Sequence, residues 1–70
     1  MKKNNSKRYY YLSCHSLVLE HFKNDEKKTK IWMNTINPLL GEVSPIEMIM
    51  NGRGERLESW IKNQLKENKI

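Results

Sequence analysis

The chain has 70 residues, one cysteine and a formal net charge of +5. This length limits it to one domain, whose small core supplies a net stability on the order of 3–5 kcal/mol. The single cysteine excludes an internal disulfide and fits a reducing compartment, and no apolar run reaches the roughly 20 residues that cross a bilayer. A polar stretch follows the first lysines, whereas a signal peptide would have an apolar stretch there. We therefore expect a soluble, cytoplasmic protein without a membrane partner.

The positive charge is concentrated at the N-terminus. Lys2, Lys3, Lys7 and Arg8 lie in the first eight residues, and the basic and acidic residues after them nearly balance. A leader of Lys, Asn and Ser buries no apolar area. We therefore expect residues 1–7 to be a disordered basic leader and residues 8–70 to form a single helical domain. The leader either aids solubility or touches phosphate through counterion release.

Apolar spacing predicts a first helix over residues 8–22. Tyr11, Cys14, Val18 and Phe22 recur at helical intervals, with Leu17 beside them. The polar pair that follows breaks the pattern. This helix is expected to bury that face against the rest of the domain.

A second helix is predicted from Asp25 to about residue 35. Asp25 suits the N-cap because its carboxylate accepts hydrogen bonds from free backbone N–H groups. Ile31, Trp32 and Ile36 are expected to form the apolar side of this helix. The Asn-Pro pair at positions 37–38 ends it, since a residue before proline avoids the α region.

The joint after the second helix has the sequence NPLLG. Leu39 and Leu40 are expected to enter the core there. Gly41 is expected to take the positive φ that such a turn requires. The joint thus predicts a fixed angle between the second and third helices.

The sharpest local signal is the sequence SPIE at residues 44–47. Ser44 suits an N-cap, Pro45 suits the first helical position, and Glu47 can bond back to the serine N–H. A third helix should start here, with one apolar face made by Ile46, Ile49 and Met50. Asn51 and Gly52 should close it, because both tolerate left-handed geometry.

A fourth helix is predicted over residues 54–66. Leu57, Trp60, Ile61 and Leu65 form a clear amphipathic stripe. There is no strand alternation and no internal repeat. The chain is therefore expected to be all-α, a compact bundle of about four short helices.

Few residues have the side chains and the spacing of a catalytic or metal-binding site. Cys14, His15 and His21 are the nearest to a metal set, but a structural zinc usually takes four ligands. Cys14 is better explained as a small core residue, and no oxyanion hole accompanies a Cys14–His21 pair. The glycines in NGRGERL do not match a phosphate-binding fingerprint. We expect no catalytic residues, no metal and no cofactor; a small enzyme is the alternative.

Trp32 and Trp60 have two possible roles. Tryptophan is a large filler for a small core, and it is also enriched at the centres of protein interfaces. The combination of a small core, two tryptophans and no catalytic set favours a module whose function is association.

The stretch over residues 22–65 resembles the toxin-binding domain of the Xre/MbcA/ParS antitoxins. The family pattern begins with an aromatic residue, a short loop and a helix that has a tryptophan near its end. An Asn-Pro turn and a Leu-Gly pair follow. Next come a Pro-initiated helix that ends near glycine and a last amphipathic helix. The matching residues here are Phe22, Trp32-Met33, Asn37-Pro38, Leu40-Gly41, Ser44-Pro45-Ile46-Glu47, Gly52 or Gly54, Leu57, Ile61 and Leu65.

Three features depart from the family pattern. Thr29 stands where a small alanine is common, and Glu42 replaces a second glycine. Members of the family often carry a helix-turn-helix DNA-binding domain ahead of this region, for which 70 residues leave no room. DNA binding by this chain alone is therefore not expected.

The resemblance implies an antitoxin that neutralises a RES-domain toxin, which consumes NAD or transfers ADP-ribose from it. The antitoxin domain would block the nucleotide pocket of the toxin, and such antitoxins tend to form homodimers. The alternative is a small basic regulator that binds nucleic acid. For the partner-binding site we predict exposed positions of the last helix, namely Arg53, Arg56, Trp60, Lys62 and Asn63.

Overall fold

A computed structural model describes residues 7–68, which form four α-helices and one short 3-10 helix. The helices are α1 (Lys7–His21), α2 (Glu26–Asn34), the 3-10 helix (Pro38–Leu40), α3 (Pro45–Met50) and α4 (Gly54–Lys66). The only strand-like pairing in this range is an isolated antiparallel bridge between Asn37 and Val43. The predicted all-α bundle of four short helices is confirmed.

The predicted basic leader falls almost wholly outside the described residues. Lys7 is the exception, and α1 begins at this residue. α1 ends at His21, within one residue of the predicted boundary. Lys23 and Asn24 then both adopt a positive φ, which reverses the chain before Asp25 starts the next helix.

The core is formed by buried side chains from all four α-helices. α1 and α3 each contact the other three α-helices. Leu17, Trp32, Trp60 and Leu65 are partly buried against this core. The fully or almost fully buried apolar residues are Cys14, Val18, Met33, Met48, Ile49, Leu57 and Ile61.

The predicted caps are confirmed. The Asp25 carboxylate accepts from the Lys28 N–H at 3.0 Å. The Ser44 N–H donates to the Glu47 carboxylate at 2.9 Å, and the Glu47 N–H donates to the Ser44 hydroxyl at 3.2 Å. Gly41 has a φ of 88°, as the turn requires. Each cap is a contact between residues at most three positions apart, which is why the sequence predicts it.

The prediction for the apolar side of α2 was right for Trp32, which packs against the core, and wrong for Ile31 and Ile36. Ile31 and Ile36 are each 59% exposed, whereas Thr29 and Met33 are buried. Thr29 and Met33 are four residues apart and so lie on one face of the helix. The Thr29 hydroxyl donates to the Asp25 carbonyl oxygen at 2.9 Å, which satisfies its polar group in the core.

Two further core predictions were wrong. Leu39 is 73% exposed rather than buried, while Leu40 beside it is partly buried. In α3, Met50 faces solvent and Met48 joins Ile49 in the core. Asn51 keeps a negative φ, so Gly52 alone supplies the left-handed residue after α3.

Gly54 sets the distance between α1 and the start of α4. A Cβ atom built on this glycine would lie 2.5 Å from the Tyr10 Cβ atom. That distance is impossible for real carbon atoms, so the close approach of the two helices depends on the missing side chain. Ser13 of α1 adds a polar link, because its hydroxyl donates to the Glu58 carboxylate of α4.

Candidate protein-binding site

The two tryptophans meet between α2 and α4. Their ring centroids are 6.5 Å apart and the ring planes are inclined by 20°, a stacked arrangement. Both side chains are half-buried and pack against the core from its edge. The Trp32–Trp60 pair therefore packs on the core on one side and reaches solvent on the other, so the core role is confirmed and the interface role stays a prediction.

Four of the five predicted partner-binding residues lie on one face of α4 or at its start. Arg53 is the N-cap residue of α4, and Arg56, Trp60 and Asn63 follow at intervals of three and four residues. Arg53 makes no side-chain capping bond. Both arginines and the asparagine are exposed. This face carries two guanidinium groups beside the tryptophan pair.

Lys62 is separated from the other predicted residues. Its ammonium group lies 4.0 Å from the Glu58 carboxylate, one helical turn earlier. Glu58 accepts from Ser13, so Lys62 lies on the side of α4 that borders α1. Trp60 instead faces α2. The structure thus places four of these residues on one surface and Lys62 on another.

A second exposed feature was not predicted as a site. Residues 31–39, here called the exposed apolar segment, contain Ile31, Ile36 and Leu39, each exposed by more than half. The segment also includes Trp32, which joins it to the tryptophan pair. Single exposed apolar residues are ordinary, but three within nine residues make this segment a candidate interaction surface.

Backbone hydrogen bonds hold the end of the exposed apolar segment in one conformation. The Asn37 N–H donates to the Val43 carbonyl oxygen at 3.0 Å, which closes the loop. The Asn37 side chain accepts from the Leu39 N–H at 2.9 Å and caps the 3-10 helix. The Gly41 N–H donates to the Pro38 carbonyl oxygen. Leu39 is therefore presented by a fixed turn rather than by a floppy loop.

Cys14, His15 and His21 have separate surroundings. Cys14 is buried in the core, where desolvation and the nearby Glu58 carboxylate raise the pKa of its thiol to about 12. His15 lies 3.9 Å from the Glu26 carboxylate, and His21 packs edge-on against the neighbouring phenylalanine ring. Over residues 7–68, no three His, Cys, Asp or Glu side chains are placed to hold a metal ion.

Sequence reasoning missed the exposed apolar segment because it assigned those residues to the core. One signal was present: Thr29 and Met33 are also four residues apart, so they define a competing helix face. A buried threonine is not an obvious choice for a core position. Its hydroxyl is acceptable there only because it bonds within its own helix.

No helix in the described part of the chain is long and apolar enough to cross a membrane. Comparison of the chain with protein-family models, with curated proteins and with solved structures returns no match.

Proposed function

We propose that this protein is an antitoxin-like, non-enzymatic module that binds a RES-type toxin and blocks its nucleotide pocket. The resemblance of residues 22–65 to the antitoxin domain supplies the class of partner. The observation that carries the proposal is the exposed apolar segment beside the tryptophan pair. Burying such side chains against a partner is favourable by about 25 cal/mol per Å² of apolar surface. We propose that the encounter takes place in the cytoplasm, because a single cysteine fits a reducing compartment.

The fixed turn supports this role. Binding costs less conformational entropy when the contacting side chain is already held in place. Asn37 closes and caps the turn that carries Leu39, and the Ser44 capping box fixes the start of α3 directly after it. Asn37 and Ser44 both belong to the residues that carry the family resemblance, and Asn37 holds the end of the exposed apolar segment in position.

Charge supports a partner with an acidic surface. Arg53 and Arg56 are exposed near Trp60, and neither is in an ion pair with another described residue. Arginine forms bidentate bonds with carboxylates and stacks on aromatic rings, so it suits the edge of such an interface. These side chains would steer association and fix orientation, while the apolar segment would supply most of the affinity.

The test is affinity capture of the tagged chain from its native cells, with washes at low and high salt and mass spectrometry of what is retained. The proposal expects one stoichiometric protein that survives high salt, because apolar contacts are not screened. Recombinant production of that protein should yield an NAD-consuming activity.

In the same experiment, a matched pair of variants tests whether the exposed apolar segment is the binding surface. Leu39→Gln places an amide on the exposed apolar segment and should abolish retention at high salt. Met50→Gln changes an apolar residue on α3 that is also more than half exposed, and it should leave retention unchanged. Retention of nucleic acid that leaves at high salt, with no protein retained, would contradict the proposal and favour the basic regulator.

A further inference from the structure

A cavity of about 190 Å³ lies between the start of α1, the end of α3 and the start of α4. Ile49 is 2% exposed and Gly54 is also buried, whereas Lys7 and Glu55 are exposed. The cavity therefore has an apolar inner wall and a charged entrance. Its lining residues are Lys7, Tyr10, Ile49, Gly52, Gly54 and Glu55.

Two glycines shape the cavity. A Cβ atom built on Gly52 would have no neighbouring atom within 4 Å, so this part of the wall is bare backbone beside open space. At Gly54 the missing side chain lets the Tyr10 ring lie directly on the α4 backbone. The wall thus consists of backbone and an aromatic ring, which hold their positions better than long flexible side chains do.

The cavity carries one basic and one acidic side chain that do not satisfy each other. Within residues 7–68, no ion pair joins Lys7 to Glu55 or links either of them to another residue. The Tyr10 hydroxyl is a third polar group. Desolvation and the nearby Glu55 carboxylate raise the pKa of this phenol, so it keeps its proton and can donate a hydrogen bond.

Charge and size together narrow the class of ligand. A simple anion would be repelled by Glu55, and a simple cation would be repelled by Lys7. A nucleotide is too large, because cavities for drug-sized ligands measure about 300–1,000 Å³. The volume here is that of about six water molecules in the liquid, similar to what a small aliphatic amino acid occupies.

We infer that this cavity binds a small zwitterion of the class of the aliphatic α-amino acids. The Lys7 ammonium group attracts the carboxylate of the ligand, and the Glu55 carboxylate attracts its ammonium group. The aliphatic part of the ligand packs on Ile49 and on the Tyr10 ring. Because both charged side chains are exposed, the attraction is weak and the dissociation constant lies in the millimolar range.

This cavity is separate from the proposed protein-binding surface. None of its lining residues belongs to the exposed apolar segment or to the tryptophan pair. The inference therefore does not depend on the proposed toxin, and it can be tested on the isolated chain.

The test is NMR titration of the full ¹⁵N-labelled chain with leucine at low salt. The chain has three glycines, and their amide signals distinguish the cavity from the rest of the molecule. Gly52 and Gly54 line the cavity, whereas Gly41 ends the 3-10 helix. Leucine should shift the signals of Gly52 and Gly54 to saturation and leave that of Gly41 in place. Unchanged signals of Gly52 and Gly54 up to the solubility limit of leucine would overturn the inference.

Two matched probes test the need for both charges. Isocaproate lacks the ammonium group of leucine, and isoamylamine lacks its carboxylate. Each probe should bind about two- to fivefold more weakly than leucine, which is the effect of losing one exposed ion pair. Equal affinity of all three probes would overturn the inference.

Four variants locate the charges in the protein. Lys7→Gln and Glu55→Gln should each weaken leucine binding about two- to fivefold, for the same reason. Lys30→Gln and Glu20→Gln remove the same kinds of charge from exposed positions outside the cavity, and they should leave the affinity unchanged. Equal effects of the two pairs of variants would overturn the inference.

Discussion

The α1–α4 pair and the connection from α2 to α3 are stabilised in different ways. This connection, residues 35–44, contains the NPLLG sequence and is here called the joint. The helix pair is closed by buried apolar side chains, with Cys14 and Val18 on α1 meeting Leu57 and Ile61 on α4. The joint is closed by backbone and capping hydrogen bonds around Asn37, with Leu40 and Val43 only partly buried and with Ile36 and Leu39 in solvent. Burial supplies stability in the first region, and hydrogen bonding supplies shape in the second.

This difference separates the residues that keep the protein folded from those available to a partner. Apolar area already buried in the core contributes nothing new on binding, whereas apolar area held in solvent does. Substitutions in the helix pair should therefore change the free energy of unfolding, and substitutions on the exposed apolar segment should change binding alone.

Ile61→Ala should unfold most of the protein. Ile61 is fully buried, and truncating a buried isoleucine costs about 2–5 kcal/mol, which is comparable to the stability of so small a domain. Urea unfolding followed by circular dichroism measures the loss. The control is Leu39→Ala in the joint, which should change stability by less than about 0.5 kcal/mol. Equal losses of stability for the two variants would contradict the difference between the two regions.

Gly54→Ala should destabilise the protein although alanine is the better helix former. The added Cβ would lie 2.5 Å from the Tyr10 Cβ, an atom fixed to the α1 backbone. Such overpacking costs about 1–3 kcal/mol, against a propensity gain of at most about 1 kcal/mol. Ser59→Ala, at an exposed position of the same helix, shows the propensity effect alone and should be neutral or stabilising. A gain in melting temperature for Gly54→Ala would contradict the close packing of α1 on α4.

Stability should fall as the pH rises from about 9 to about 12. The Cys14 thiol has its pKa raised from 9.0 to about 12 in the folded state, so the unfolded chain loses the proton first. Its contribution is complete below pH 9 and lost through the folded pKa, with a slope of at most about 1.4 kcal/mol per pH unit. Urea midpoints across this range measure the effect. The stability of Cys14→Ala should fall less steeply with pH. An identical fall in both proteins would show that Cys14 is not its cause.

Ser44→Ala should cost about 1 kcal/mol, because it removes the acceptor for the Glu47 N–H at the start of α3. Thermal unfolding measures the loss, and Ser59→Ala again serves as the control. Partner binding should also weaken, since the cap orders the chain directly after the exposed apolar segment. A variant that is destabilised yet binds with unchanged affinity would separate the cap from the binding surface.

The sequence predicts the local features of this fold well. Asp25, Ser44 and Gly41 were placed correctly because a cap or a left-handed turn depends on residues within three or four positions. The bounds of α4 were predicted to the residue, since Leu57, Ile61 and Leu65 leave only one possible buried face.

The sequence does not decide which face of a short helix is buried. In α2, Trp32 and Met33 are adjacent and point in different directions, so two faces have similar apolar content. The choice depends on contacts with α1 and α3, which the residues of α2 alone do not reveal. Leu39 and Met50 were assigned to the core for the same reason. Those errors concealed the exposed apolar segment, and four of the five predicted partner-binding residues lie on a face near it.

The most direct test of the account is inhibition of the captured partner. NAD consumption by that partner, produced alone, would be measured during titration with the unmodified chain, Leu39→Gln and Met50→Gln. We expect stoichiometric inhibition by the unmodified chain and by Met50→Gln. Leu39→Gln should need at least about tenfold more protein, equivalent to about 1.4 kcal/mol. A partner that consumes no NAD, or equal inhibition by all three chains, would contradict the account.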